Sequence, residues 1–104
     1  MRHDAIFDAL GDGTRRRIFG MIRRGPLAVG DIAGRLPVSQ PAVSQHLRVL
    51  REAGLVEAET LGRRRIYRVR PEGFEPLRAY VSAFWDEALE AFGSSFTDDE
   101  EAGE

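Results

Sequence analysis

In the stretch SQPAVSQHLRVL, Ser39 to Leu50, the apolar residues Val43, Leu47 and Leu50 recur at i, i+4 and i+7. At 100° per residue this spacing turns Gln40, Ser44 and Gln45 towards the other sides of a helix. Those side chains are short or flat, uncharged, and able both to donate and to accept hydrogen bonds. That chemistry suits base edges in a major groove, where Gln can pair with adenine and Ser with either kind of partner. Arg48 and Arg51 follow at helical spacing and can reach phosphates, which fixes register rather than sequence. A second group is Gly62-Arg63-Arg64-Arg65, three adjacent guanidiniums with no carboxylate between Thr60 and Pro71. Lacking local acids, they are available to an anionic backbone or a narrow minor groove. A third is Arg15-Arg16-Arg17, from which Arg15 and Arg16 are candidate phosphate contacts. Cations at a helix start oppose its dipole, so some of this run is expected to pair with Asp8 or Asp12.

Other chemistries lack their residues. There is no cysteine, and His3 and His46 are the only histidines. Thiolate metal sites and thiol nucleophiles are therefore excluded, and imidazole ligands are too few for a borderline transition metal. The acids Asp86, Glu87 and Glu90 have no histidine nearby, and no glycine-rich phosphate loop is present. We expect no enzyme activity, no metal and no cofactor.

The polar residues need elements to position them. His3 to Leu10 reads as a short helix stopped by Gly11, followed by a second helix capped by Asp12 or Thr14 with Ile18, Phe19, Met21 and Ile22 on its apolar side. Gly25-Pro26 ends it. Asp31 to Leu36 reads as a third helix closed by Pro37. Ser39 is a good N-cap with Pro41 near the first helical position, so a fourth helix runs to about Ala53 and stops at Gly54. Two short helices joined by a tight turn are the parts of a helix-turn-helix. From Leu55 the period changes to alternation, predicting strands over 55–60 and 66–70 joined by a basic hairpin loop, a wing. Helical spacing returns from Phe74 to Phe92. The predicted fold is mainly α with a small β-hairpin, a winged helix-turn-helix in the order α-α-α-α-β-β-α, over residues 1–92. Residues 93–104 form an acidic tail expected to be unstructured.

The 104 residues suit one domain with a modest core. A net charge of -2 argues at first against a nucleic-acid partner, but the average conceals a division. From Asp12 to Arg70 there are 13 arginines against five carboxylates; from Pro71 onward there is one arginine against ten. Such asymmetry points to a basic binding surface with an acidic end elsewhere, although solvated helix faces would also produce it. No apolar run approaches bilayer-crossing length and Asp4 and Asp8 interrupt the first apolar pattern, so neither a membrane nor a secretory signal is expected, and the cytoplasm is.

The segments Ala-Leu-Gly-Asp-Gly-Thr-Arg-Arg-Arg-Ile from Ala9, Leu-Pro-Val-Ser-Gln-Pro-Ala-Val-Ser-Gln-His-Leu-Arg-Val-Leu from Leu36, and Gly-Arg-Arg-Arg-Ile-Tyr-Arg-Val from Gly62 resemble the winged-helix DNA-binding domain of ArsR/SmtB-family bacterial repressors. The resemblance covers more than half the chain. It implies a homodimer, built by the first and last helices, that binds a palindromic operator in double-stranded DNA. Mapped by motif, Ser39, Gln40, Pro41, Ser44, Gln45, His46 and Arg48 belong to the recognition helix and Arg63, Arg64 and Arg65 to the wing. In metal-sensing members Cys pairs lie near the third helix, or His and acidic ligands lie in the last; Pro26 to Ile32 and the last helix here have neither Cys nor His. The chain therefore resembles the metal-independent members, with an unidentified effector if it has one. Ile6, Phe7, Tyr80, Phe84, Trp85, Leu89 and Phe92, apolar residues of the two terminal helices, are the expected core and dimer interface. A competing expectation is a winged-helix protein-interaction module whose basic wing binds an acidic partner or its own tail.

Overall fold

The computed structural model describes the backbone of residues 2–103 and the side chains of residues 3–92. Its elements are α1 (Arg2–Leu10), α2 (Gly13–Arg23), β1 (Leu27–Ala28), α3 (Val29–Ala33), α4 (Gln40–Glu52), β2 (Val56–Leu61), β3 (Arg64–Val69), a 3-10 turn (Pro71–Phe74) and α5 (Glu75–Gly103). The tail from Gly93, expected to be unstructured, lies outside the residues whose side chains are described.

Helix starts follow their capping chemistry. Asp12 caps α2, its carboxylate accepting from the Arg15 amide at 3.0 Å. Ser39 caps α4, its hydroxyl accepting from the Ala42 amide at 3.3 Å. The hydrogen bond from the Arg15 amide holds the Asp12 carboxyl below its usual range, against a smaller opposing push from burial. The end of α4 is equally determined. Gly54 takes φ +81°, its amide donates to Arg51 and the Leu55 amide donates to Leu50. These two bonds satisfy the last carbonyls of α4 as a Schellman motif. The chain then leaves at the angle that starts the wing. Gly73 packs on this corner so closely that a Cβ there would lie 1.7 Å from the Gly54 carbonyl oxygen.

Ile6, Ile18, Ile22, Ile32, Val43, Leu47, Leu50, Leu55 and Val56 form the fully buried core, so each helix of the first half and the base of the wing contribute. Ile6 is 1% exposed; its expected place in a dimer interface is corrected, because α1 turns this residue inward onto the chain's own core. Other features also differ from expectation. Helix α3 spans Val29–Ala33 rather than 31–36, since Ala28 already has extended geometry at its start and Gly34 ends it. The sheet has a third strand, ordered β1-β3-β2 and antiparallel throughout, with Leu27 opposite Tyr67 and Ala28 opposite Ile66. This two-residue strand anchors the wing to the segment entering α3.

Candidate nucleic-acid interface

Helix α4 divides along its length. Val43, Leu47 and Leu50 are wholly buried, while Ser39, Gln40, Pro41, Ser44, Gln45, Arg48 and Arg51 are exposed. Packing of one stripe thus fixes the rotation of the helix and turns the small polar residues outward, as their spacing implied.

The wing projects from the same side. Leu61 pairs with Arg64, leaving Gly62-Arg63 as a two-residue turn. Gly62 has φ +63° and Arg63 has not a positive φ, the pattern of a type II′ turn, whose twist matches that of the flanking strands. The hairpin is therefore tighter than the five-residue loop expected, and Arg64 and Arg65 belong to β3. Every residue from Glu59 to Arg65 is exposed. Gln40 and Ser44 of α4 and Arg63, Arg64 and Arg65 of the wing line one cleft of about 440 Å³, with Val29, Gly30 and Asp31 of α3 at its back. Uncharged polar side chains and guanidiniums thus converge on one concave surface from segments some 20 residues apart.

The three wing arginines are not equivalent. Arg64 donates to the Asp31 carboxylate at 2.6 Å across 33 residues of sequence. Absence of a nearby acid in the sequence thus did not leave Arg64 unpaired, because the fold supplies one. The Arg65 guanidinium lies 5.7 Å from the centre of the Tyr67 ring, within cation–π range. Arg63, at the turn, has no ion pair or hydrogen bond to its side chain among the described residues. On α4, Arg48 pairs with Glu52 at 3.0 Å; between the two long strands of the wing, Arg68 pairs with Glu59 at 2.7 Å. Both are exposed pairs of the kind that contribute about 0–1 kcal/mol, so a phosphate can replace the carboxylate.

Arg15, Arg16 and His46 lie differently from the rest. Arg15 donates through Nε to the Ala9 carbonyl at 2.6 Å and through Nη2 to the Asp8 carbonyl at 3.2 Å; Arg16 donates to the Leu10 carbonyl at 2.8 Å. These carbonyls belong to the last turn of α1, where cations complement the helix dipole; that of Asp8 also accepts from the Gly11 amide at 3.3 Å. The cost foreseen at the start of α2 is offset by capping α1, through carbonyls rather than the Asp8 carboxylate. Arg15 Nη1 also lies 3.4 Å from His46 Nδ1. His46 is half-buried and turned to α2, away from the row of Gln40 and Ser44. Asp31, Gly30 and β1 are the participants that spacing did not reveal: the strand is too short to show a period, and the Asp31–Arg64 pair is purely tertiary.

At the other end of the chain, Phe7 (44% exposed), Tyr80, Phe84, Trp85, Leu89 and Phe92 (67%) leave large apolar areas open. Tyr80 stacks on His3 at 4.6 Å and meets Phe7 edge-on at 5.4 Å, joining α1 to α5. No helix among the described residues is long and apolar enough to cross a membrane.

Residues 12–58 match the model of the bacterial regulatory protein family arsR. The chain is 49% identical to the HTH-type transcriptional regulator Rv2034 of Mycobacterium tuberculosis, over 86% of this chain and 83% of that one. It is 35% identical to the transcriptional repressor SdpR of Bacillus subtilis over 55% of this chain, spanning 63% of that protein. A solution structure of the homodimeric winged helix-turn-helix DNA-binding domain Mb0332 of Mycobacterium bovis is similar at TM-score 0.67 and 33% identity, covering 86% of this chain and 83% of that one.

Proposed function

The chain belongs to the ArsR family of bacterial regulatory proteins, and from that premise we propose that it is a homodimeric transcriptional repressor of the cytoplasm, reading a palindromic operator without a metal. The convergence of Gln40, Ser44 and the wing arginines on one cleft carries this reading. Gln40, Ser44 and Gln45 read bases in the major groove; Arg63 and Arg65 contact the phosphates or minor groove beside it; Arg48, Arg51 and Arg64 exchange with phosphates. Pro41 and Ser39 set the start of α4 and so the depth at which it enters. Arg15 and His46 act from behind, positioning α4 against α2.

The homodimer is supported by the apolar face of α5. Six side chains each baring about 100 Å² would bring roughly 600 Å² per subunit to an interface, near the 800 Å² per partner of a standard one. Two recognition helices related by a two-fold axis would meet half-sites about 34 Å apart on one face of the duplex, hence a palindrome. The repressor sense draws on the similarity to SdpR. Metal independence is supported by donor chemistry: there is no cysteine, and no three His, Asp or Glu groups come together among the described residues. To test the whole, genomic fragments bound by the purified protein are selected and titrated at several salt concentrations. A palindromic site bound far more tightly than random duplex, with affinity falling steeply as salt rises, is the expected result. Weak binding blind to sequence would refute it.

A further inference from the structure

Four arginines surround a second cleft, of about 630 Å³, that the DNA reading does not use. Arg17 and Arg23 come from α2, Arg24 from its cap, and Arg35 from the turn after α3. Among the described residues none of these guanidiniums has a hydrogen bond or ion pair, although many other arginines of the chain have found a partner. Four unpaired cations around one opening repel one another, and the arrangement lacks its counter-charge. The wall between them is apolar, made by Met21, Leu27 and Leu36, all half-buried. A hydrated inorganic ion would gain nothing from that wall. The volume lies within the range of small-molecule sites, about 300–1,000 Å³.

This cleft is separate from the one that faces DNA. The two share no lining residue, and they meet strand β1 at successive positions, Leu27 in one and Ala28 in the other. Successive residues of a strand point to opposite faces. Gly20 and Gly25 are among its lining residues, and a Cβ on either would meet nothing within 4 Å. We propose that the cleft bounded by Arg17, Arg23, Arg24 and Arg35 binds a small organic anion, with a phosphate or paired carboxylates held by the guanidinium forks and a compact apolar body against Met21, Leu27 and Leu36. Arg and bidentate oxyanions match in geometry as well as charge. The bound molecule would touch Arg35 and Leu36, which lead directly into the turn before Ser39, so its occupancy bears on the segment that sets the reading helix.

The test uses phenyl phosphate as probe on the full-length protein, followed by the amide resonances of the glycines, with benzyl alcohol and inorganic phosphate as controls. Phenyl phosphate is expected to shift Gly20 and Gly25 saturably while leaving Gly30 and Gly62, on the other cleft and the wing, in place. Binding should weaken at least about tenfold in Arg23→Ala/Arg35→Ala, the loss of two charge-assisted contacts. Gly20→Leu, whose Cβ would meet nothing within 4 Å and whose side chain adds bulk to the lining of the cleft, should abolish it. No saturable shift up to about 10 mM, equal affinity for inorganic phosphate, or shifts confined to Gly30 and Gly62 would each overturn the proposal. So would a double-arginine variant whose DNA binding loses about two units of salt slope in a protein that ignores phenyl phosphate, since the cleft would then be a DNA-backbone contact.

Discussion

The Asp31–Arg64 pair gives the DNA reading its sharpest test, because removing a charge there should move binding and stability in opposite directions. In Asp31→Asn the carboxylate 2.6 Å from Arg64 is gone. The pair is open to water, its side chains 61% and 45% exposed, so its net worth is about 0.2–1 kcal/mol. Any phosphate that takes Arg64 must displace Asp31 against that amount. A carboxylate about 8 Å from a phosphate in water adds roughly 0.5 kcal/mol of repulsion before screening. Together these predict that Asp31→Asn binds duplex DNA tighter by about 0.5–1.5 kcal/mol, roughly two- to twelve-fold at low salt. Asp31 also stands in the first turn of α3, where a negative charge favours the helix dipole, so the variant should lose about 0.3–1 kcal/mol of stability. Fluorescence anisotropy of a labelled duplex measures the first effect, and thermal melting the second. The gain should shrink as salt rises, and should largely vanish when Arg64→Ala is already present. Asp31→Asn binding more weakly than the parent at low salt, while still melting within a few degrees of it, would refute the placement of Arg64 against DNA.

Four further outcomes follow from the same geometry. Gly73→Ala sets a Cβ against the Gly54 carbonyl and should cost about 1–3 kcal/mol or more, a fall of several degrees or more in melting temperature. Gln45→Ala should weaken the selected operator by about 1–3 kcal/mol while hardly affecting random duplex, whereas Arg63→Ala should weaken both and lower the salt slope by about one; equal loss of specificity in the two would contradict the division between base and phosphate contacts. Phe84→Asp should shift the protein from dimer to monomer in sedimentation without unfolding it, because Phe84 is 58% exposed within the chain. Asp12 has its carboxyl lowered from the usual 3.8, so its contribution is present above the unfolded value and is lost as pH falls through the folded one; the melting-temperature gap between the parent and Asp12→Ala should narrow below about pH 4.

Local chemistry made much of this legible from residue types alone. Ser39 reads as the cap of α4, the start of α2 narrows to Asp12 or Thr14, and the stripe of Val43, Leu47 and Leu50 determines which side of α4 is left for polar work. Gly54 reads correctly as a stop because no other residue takes its φ cheaply. What was not legible depends on distance in the chain. Ile6 and Phe7 are adjacent apolar residues on one short helix, and the pattern cannot tell that one enters the core and the other stays exposed. The wing turn shortened because one glycine with positive φ suffices for a two-residue hairpin, which transfers Arg64 and Arg65 into a strand. Arg64 then meets Asp31, and Arg15 meets two carbonyls and a histidine, through contacts that no local spacing encodes.

Arg15 is the residue where these levels join. Its Nε and Nη2 hold the carbonyl end of α1 and its Nη1 reaches His46 on α4, while Phe7 on α1 packs edge-on against Tyr80 of α5. The helices that present the apolar face and the helix that presents Gln40, Ser44 and Gln45 are therefore tied through one guanidinium. Its substitution would do more than remove a charge. Arg15→Lys keeps the charge but cannot offer the planar fork that reaches two carbonyls and an imidazole together, so it should unfix α4 relative to α1 while leaving the exposed cations unchanged in number. Specific operator binding should then fall more than binding to random duplex, the signature of a displaced reading helix. A phosphate contact would behave otherwise, since lysine serves a phosphate as a point charge and both kinds of binding would be nearly retained.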